Sequence, residues 1–377
     1  MVNQCEKTIV IDTRSVLANK SNGIARHTDE LVRQIIALPE PEFRFVLLVT
    51  RESPYLRVEL PAHVSLKLMR TGWISWLGQL ELAWVLFVLK PTIFHSPSFV
   101  VPLLSRTPFV ATIHDLIHVA MSRDYTLFHR IYYRVLLARK IRSAKAVMTV
   151  SEFSRQEIIK LYKVPPEKVH VIYNGISRSF LERAQLTQEE AGAFRERYEL
   201  PTNFVLAIGN RKGHKNMARS VEAWCRANSD TSLVLLTEFD PRLLQVAAQY
   251  NKRHRLYFTR FVPDSDLPSL FSLARAFLFP SLYEGFGLPP LEAAACGTPV
   301  VVSNRSSLPE VMKDAAIYVD PEDIDSIARG IELALEPNSP VVQENILRGL
   351  AVASTYTWED MTLRALNIYR HCLGVTG

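Results

Sequence analysis

Phe279-Pro-Ser-Leu-Tyr-Glu-Gly-Phe-Gly-Leu-Pro-Pro-Leu-Glu-Ala-Ala-Ala-Cys-Gly-Thr-Pro-Val-Val-Val302 is the stretch around which the rest of the chain is read. It predicts strand, glycine loop, helix, strand. Ala276 to Pro280 is a short apolar strand and Glu284-Gly-Phe-Gly287 a loop. Pro289 and Pro290 suit a first helical turn, because proline lacks an N–H that would be orphaned there. Gly297 ends the helix. A strand that reaches a helix N-terminus through glycines makes an anion site, since loop N–H groups and the positive end of the helix dipole face the same volume. Glu284 at the loop mouth and Glu292 in the first helical turn are acceptors placed for two polyols. The alternative is that Glu292 only complements the dipole and Glu284 is a solvated loop residue.

The same organisation recurs upstream. Asn203 to Gly209 is a strand, and Asn210-Arg-Lys-Gly-His-Lys-Asn216 is a basic loop before a helix from Met217 to Ala227. Three cations at a strand's carboxyl end, beside a helix N-terminus, suit a pyrophosphate. Nearer the start, Lys7 to Asp12 is a strand, Ser21 to His27 a loop holding Gly23, and Thr28 to Leu38 a helix; a glycine there permits close backbone approach to a ligand. His114 and Asp115 close the strand Phe109 to Ile113, at a carboxyl end where an open α/β sheet binds ligands. The plainer reading is a helix-capping Asp115 with a structural His114; His95 and His118 are weaker rivals. Short apolar runs at 43–50, 64–69, 92–95, 146–150, 169–173, 232–237 and 255–258 complete the pattern of parallel sheets wound by crossovers. The boundary is expected near Gly175 to Ser179, giving domains 1–176 and 177–356. GxGxxG is absent, which argues against a nicotinamide enzyme. Asp264-Ser-Asp266 reads as a helix cap rather than a metal-binding pair, because Leu267-Pro268 comes directly after it.

A chain of 377 residues, 48% hydrophobic and 22% charged, predicts a globular protein of two domains. Four scattered cysteines, Cys5, Cys225, Cys296 and Cys372, suggest neither disulfides nor a zinc site, and no basic-then-apolar leader precedes the first strand. A cytoplasmic location is therefore expected. The most apolar segment, Trp73 to Lys90, holds Gln79 and Glu81 in its middle and reads as a buried or interface helix; its three tryptophans leave membrane contact open. Net charge is +6, and residues 121–163 carry ten Lys or Arg against three acids. Within them, Phe128 to Lys145 reads as a basic amphipathic helix suited to the anionic inner face of a plasma membrane, the alternative being a solvated face. Nucleic acid is not expected, since no binding motif accompanies the charge.

Glu284 and Glu292 stand in an E-x7-E spacing that resembles family 4 of the retaining glycosyltransferases, which have the GT-B fold of two doubly wound Rossmann-like domains facing across a cleft. By that resemblance Glu284 and the amides of Gly285, Phe286, Gly287 and Leu288 contact the donor sugar, and Glu292 binds the nucleotide ribose. Ser21 to His27 is similar to the family's G-I-G-R-Y loop, with Gly23 and Arg26 matching, Ala25 for the second glycine and His27 for tyrosine. Ile113-His-Asp-Leu116 resembles the motif whose histidine, here His114, reaches donor sugar and acceptor. The family's diphosphate-binding lysine falls on Lys215; its arginine position is Asn210, with Arg211 one step on. Arg260 stands where many members have glycine, near the expected base pocket. A helix from Thr357-Trp358, within 357–377, would pack back on the first domain. The motifs together look most like bacterial mannosyltransferases of surface polysaccharides such as O-antigen. The resemblance implies GDP-mannose as donor, a glycan or lipid-linked glycan as acceptor, and neither cofactor nor metal. Rival readings are a UDP-hexose-dependent transferase, a nucleotide-sugar epimerase and a non-catalytic binding subunit.

Overall fold

The computed structural model describes residues 7–18, 23–39, 42–120, 132–182, 186–259, 261–336 and 338–375. The chain divides into two compact units: residues up to Gly175 together with those from Trp358 onward, and Ile176–Thr357.

The sheet of the first unit is parallel throughout, in the order β3-β2-β1-β4-β5-β6-β7. Its strands are β1 (Lys7–Asp12), β2 (Phe43–Val49), β3 (Val64–Leu68), β4 (Ile93–Ser96), β5 (Phe109–Thr112), β6 (Ala146–Thr149) and β7 (Val169–Val171). Both faces are covered, so alternate side chains of one strand enter different cores. Ile9 and Ile11 pack with Leu31, Trp358 and Tyr369, whereas Val10 packs with Leu82 and Phe94. The terminal helix Trp358–Leu373 thus fills the first core, and Tyr369 Oη lies 2.6 Å from His95 Nδ1. On the other face the Trp76–Leu89 helix sits close against the end of β1. A Cβ at Gly78 would meet Gly72 O at 2.7 Å and Nη1 of the buried Arg14 at 3.5 Å. Arg14 is itself held by Asp12, at 2.8 and 2.7 Å.

The sheet of the second unit, also parallel, has the order β10-β9-β8-β11-β12-β13. Its strands are β8 (Phe204–Ile208), β9 (Ser232–Leu236), β10 (Leu256–Thr259), β11 (Ala276–Phe279), β12 (Val300–Ser303) and β13 (Ile317–Val319). In both sheets the winding reverses beside the first strand of the unit, at β1/β4 and at β8/β11. The carboxyl ends of those strands form the switch point where an open α/β sheet takes its ligand.

The structure revises two of these readings and adds to the others. Residues 128–131 of the predicted basic helix lie outside the described residues. The remainder of that stretch is a π-helical segment, Tyr132–Leu137, and a short α-helix, Ala138–Arg142. Tyr133 and Leu137 are the buried residues of this segment, and Tyr133 stacks on His118 with ring centres 4.4 Å apart. The Trp76–Leu89 helix buries Gly78, Leu82, Val85 and Leu86 but leaves its opposite apolar face exposed, because it covers only one side of the sheet. Asp266 makes no capping bond: its carboxylate accepts Tyr198 Oη at 2.5 Å and pairs with Arg197 at 3.2 Å. The helix Pro340–Ser354 was not anticipated. Gly349 lets it approach Ala294, whose Cβ lies 3.1 Å from where a side chain would begin.

Candidate active site

Two loops meet at the β8/β11 switch point, and they are joined mainly through backbone acceptors. After β8, Gly209 gives way to Met217, whose Sδ would lie 2.3 Å from a Cβ there. Asn216 adopts φ +56° and its Nδ2 donates to the carbonyls of Pro280 and Pro321, at 3.0 and 2.6 Å. Leu282 N donates to His214 O at 2.7 Å, fixing the β11 loop against the basic turn. Lys215 is thereby directed at Glu284: Nζ lies 2.7 Å from Oε1, with 16% and 13% of the two side chains exposed. Lys215 Nζ also lies 4.7 Å from the centre of the Phe279 ring.

Glu284 is braced from two directions. Ser281 Oγ donates to Oε1 at 2.6 Å. From the loop after β12, Ser306 Oγ accepts the Glu284 N–H at 3.1 Å, and Ser307 Oγ lies 3.0 Å from the carbonyls of both Glu284 and Phe286. The loop then closes on Gly287, at φ +98°, where a Cβ would strike Leu308 Cδ2 at 2.6 Å. Gly287 is the cap of the Leu288–Ala295 helix and no side chain caps that end. Pro289 and Pro290 carry no N–H, so of the four donors that a helix start leaves without an intrahelical partner, those of Gly287 and Leu288 remain.

Glu292 is corrected in position. The helix begins at Leu288, with the two prolines in the first turn, so Glu292 belongs to the second turn and is 3% exposed. The second turn lies beyond the positions at which a carboxylate best complements the helix dipole. Arg211 departs from the group: its Nη2 donates to Phe239 O at 2.7 Å and its Nε lies 3.6 Å from Glu238, both on the loop after β9. Arg260 lies outside the described residues. No group of three or more His, Cys, Asp or Glu is gathered as a metal would require, among the described residues.

In the first unit His114 lies two residues after the end of β5 and is half-buried. Its Nε2 donates to Pro97 O at 3.0 Å, which leaves Nδ1 as the acceptor of the neutral ring. Burial holds its pKa below the ordinary value. His27, from the Gly23–Ile36 helix, meets it edge-on with ring centres 4.7 Å apart. His27 Nδ1 lies 2.8 Å from Asn174 Oδ1, while Nε2 is buried without a partner. Burial, and then His114, push its pKa well down. The reading of a loop through His27 is corrected, since the helix already begins at Gly23; the contact of His27 with His114, which spans 87 residues, leaves no sign in the sequence. The two rivals to His114 are accounted for structurally, His95 by Thr112 and Tyr369 and His118 by its stack on Tyr133. Gly23 is exposed, and a Cβ there would touch nothing within 4 Å, so packing within the chain does not call for glycine.

Comparison with known proteins adds the family. The model for glycosyl transferases group 1 matches residues 192–345, and that for Glycosyltransferase Family 4 matches 21–180. The chain is 35% identical over 298 residues to the O-antigen chain mannosyltransferase B of Escherichia coli, covering 76% of each chain. It is 29% identical to the serotype-specific mannosyltransferase WbdA of Escherichia coli over 70% of its own length, and spans about a third of that relative (33%). Among solved structures, Anabaena HepE in complex with UDP and glucose superimposes with a TM-score of 0.76 at 17% identity, over 97% of this chain and 100% of that one. The chain belongs to family 4 of the glycosyltransferases, on the GT-B fold of two Rossmann-like domains.

Proposed function

We propose that the chain is a retaining mannosyltransferase of bacterial O-antigen synthesis, taking mannose from GDP-mannose to a glycan acceptor carried on a lipid. The observation that carries this reading is the Lys215–Glu284 pair, 2.7 Å apart beside the uncapped end of the Leu288–Ala295 helix. An ammonium, a sugar-binding carboxylate and helix amides in one place suit a hexose joined to a diphosphate. The likeness to two mannosyltransferases supports the choice of sugar.

The acceptor hydroxyl forms a bond to the anomeric carbon as the bond from that carbon to the diphosphate breaks on the same face, and the departing phosphate oxygen takes the hydroxyl proton. Negative charge grows on the leaving group, where Lys215 and the amides from Gly285 to Leu288 oppose it. Glu284 orients sugar hydroxyls and Glu292 the ribose. Arg211 joins the diphosphate on leaving Phe239 and Glu238. His114, neutral and with Nδ1 as acceptor, takes a hydrogen bond from a sugar hydroxyl, and Gly23 admits the ligand to the backbone. With the charge met by these groups, chelation of divalent ions leaves the rate unchanged. The basic part of 121–163 rests on an anionic membrane at the cytoplasmic face.

Incubation with labelled GDP-mannose, UDP-glucose, UDP-galactose and UDP-N-acetylglucosamine, with a lipid-linked glycan extract, tests the reading. The expected product comes from GDP-mannose alone, with an α linkage by NMR. A UDP-sugar product, an epimerised donor, or binding without turnover would each replace it.

A further inference from the structure

We propose that the exposed apolar face of the Trp76–Leu89 helix, with the aromatic pocket at its N-terminal end, inserts into the interfacial layer of an anionic lipid bilayer. The inference rests on the peripheral reading of the basic segment and names the element that enters the lipid. Trp76, Leu77, Leu80, Trp84, Phe87 and Val88 are each more than half exposed. At about 100° per residue they fall within an arc of roughly 120°. Gly78, Leu82, Val85 and Leu86 lie on the opposite side and already fill the core. The core on this side of the sheet is thus filled by the other face of the helix. It carries no charge; Glu81, at its edge, is taken up by the backbone N–H groups of Arg70 and Thr71 at 2.8 and 2.9 Å.

The pocket supplies the second observation. A cavity of about 440 Å³ is lined by Trp73, Ile74, Trp76, Phe99, Leu103 and Tyr132, among others. Tyr132 brings with it the basic segment, on which Arg139 and Arg142 are exposed beside the apolar Val135 and Leu136. Lys140 Nζ donates to Ser105 O at 2.8 Å and so ties that segment to the loop of the exposed Leu104. No acid occurs between Tyr132 and Ser151, and Glu81 is the single one between Thr71 and His114. A charge-free face with tryptophans, joined through the pocket to a basic segment without acids, is complementary to acyl chains beneath anionic headgroups. A helix of 14 residues is about 21 Å long, so it lies in the interface rather than across the bilayer. Self-pairing of this face would bring together two basic segments of like charge, which favours lipid over a second copy.

Flotation of the whole protein with vesicles of phosphatidylglycerol and phosphatidylethanolamine, against phosphatidylcholine alone, tests the proposal. The wild type is expected to float with the anionic vesicles, its tryptophan emission quenched by lipids brominated on the acyl chain. Trp84→Gln and Phe87→Gln, both at exposed positions, should each weaken partition by about tenfold at an unchanged melting temperature. If these variants float as the wild type does while Arg139→Ala with Arg142→Ala does not, binding is by charge alone: the helix proposal is overturned and the basic-segment reading stands. If the wild type does not float, both fall. If Trp84→Gln leaves flotation intact but turns a dimer into a monomer by light scattering, the face is a self-association surface and the proposal is overturned.

Discussion

Buried histidines set how the first unit responds to acid. His95 is fully buried, and burial lowers its pKa from 6.5 to about 3, with His114 adding to the effect. Thr112 Oγ1 faces Met148 Sδ at 3.9 Å, so it accepts from His95 Nε2 while Tyr369 donates to Nδ1. The unfolded chain protonates His95 near 6.5 and the folded chain does not, so the unfolded state binds more protons between those values and stability falls as pH is lowered. The slope from this residue alone is at most about 1.4 kcal/mol per pH unit. His27 and His114 are shifted in the same direction. Chemical denaturation at pH 7, 6 and 5 should show falling stability, with a shallower fall in His95→Gln; an equal slope in the variant would show that His95 is not a source of it. The Lys215 and Glu284 positions were readable from the sequence because each sits in a loop marked by glycine at a strand end. The serines that hold Glu284 were less so, since Ser306 and Ser307 act across more than 20 residues and a serine in a turn has many local uses.

At the scale of the element, the glycine loop before Leu288 concentrates several requirements in one place. Gly287 needs both a positive φ and the absence of a Cβ against Leu308. Gly287→Ala should therefore destabilise the second unit by about 1–3 kcal/mol and raise the donor KM more than it lowers kcat; a melting curve and KM like the wild type's would show that the loop yields at little cost. The strand-loop-helix unit was legible because apolar runs, a proline pair and glycines agree about it at once. The segment Tyr132–Leu137 was not, because an apolar and basic period does not separate an α-helix from a π-helix when the choice is made by Tyr133 packing on His118. Thr187 and Glu190 form a capping box that opens the Gln188–Arg197 helix, a signal present in the sequence within a stretch that otherwise reads as polar. The exposed face of the Trp76–Leu89 helix could not be told from a buried one, since composition gives apolarity but not which side meets the sheet.

At the scale of the whole molecule, the chain order does not match the units. Trp358, Met361, Leu366 and Tyr369 come from the last helix yet belong to the core of the first unit. A chain ended after Thr357 should lose the cooperative unfolding of that unit and keep that of the second. A calorimetric trace retaining both would show the helix to be dispensable. The two parallel sheets were legible because strands buried on both faces read as unbroken apolar runs separated by turns. The central claim concerns transfer itself, and Lys215→Ala tests it most directly. In single-turnover assays with labelled GDP-mannose and the lipid-linked acceptor, loss of the ammonium that faces the departing diphosphate should slow mannose transfer at least about a hundredfold. A loss of less than about threefold would contradict the account, because the leaving group would then be stabilised without Lys215.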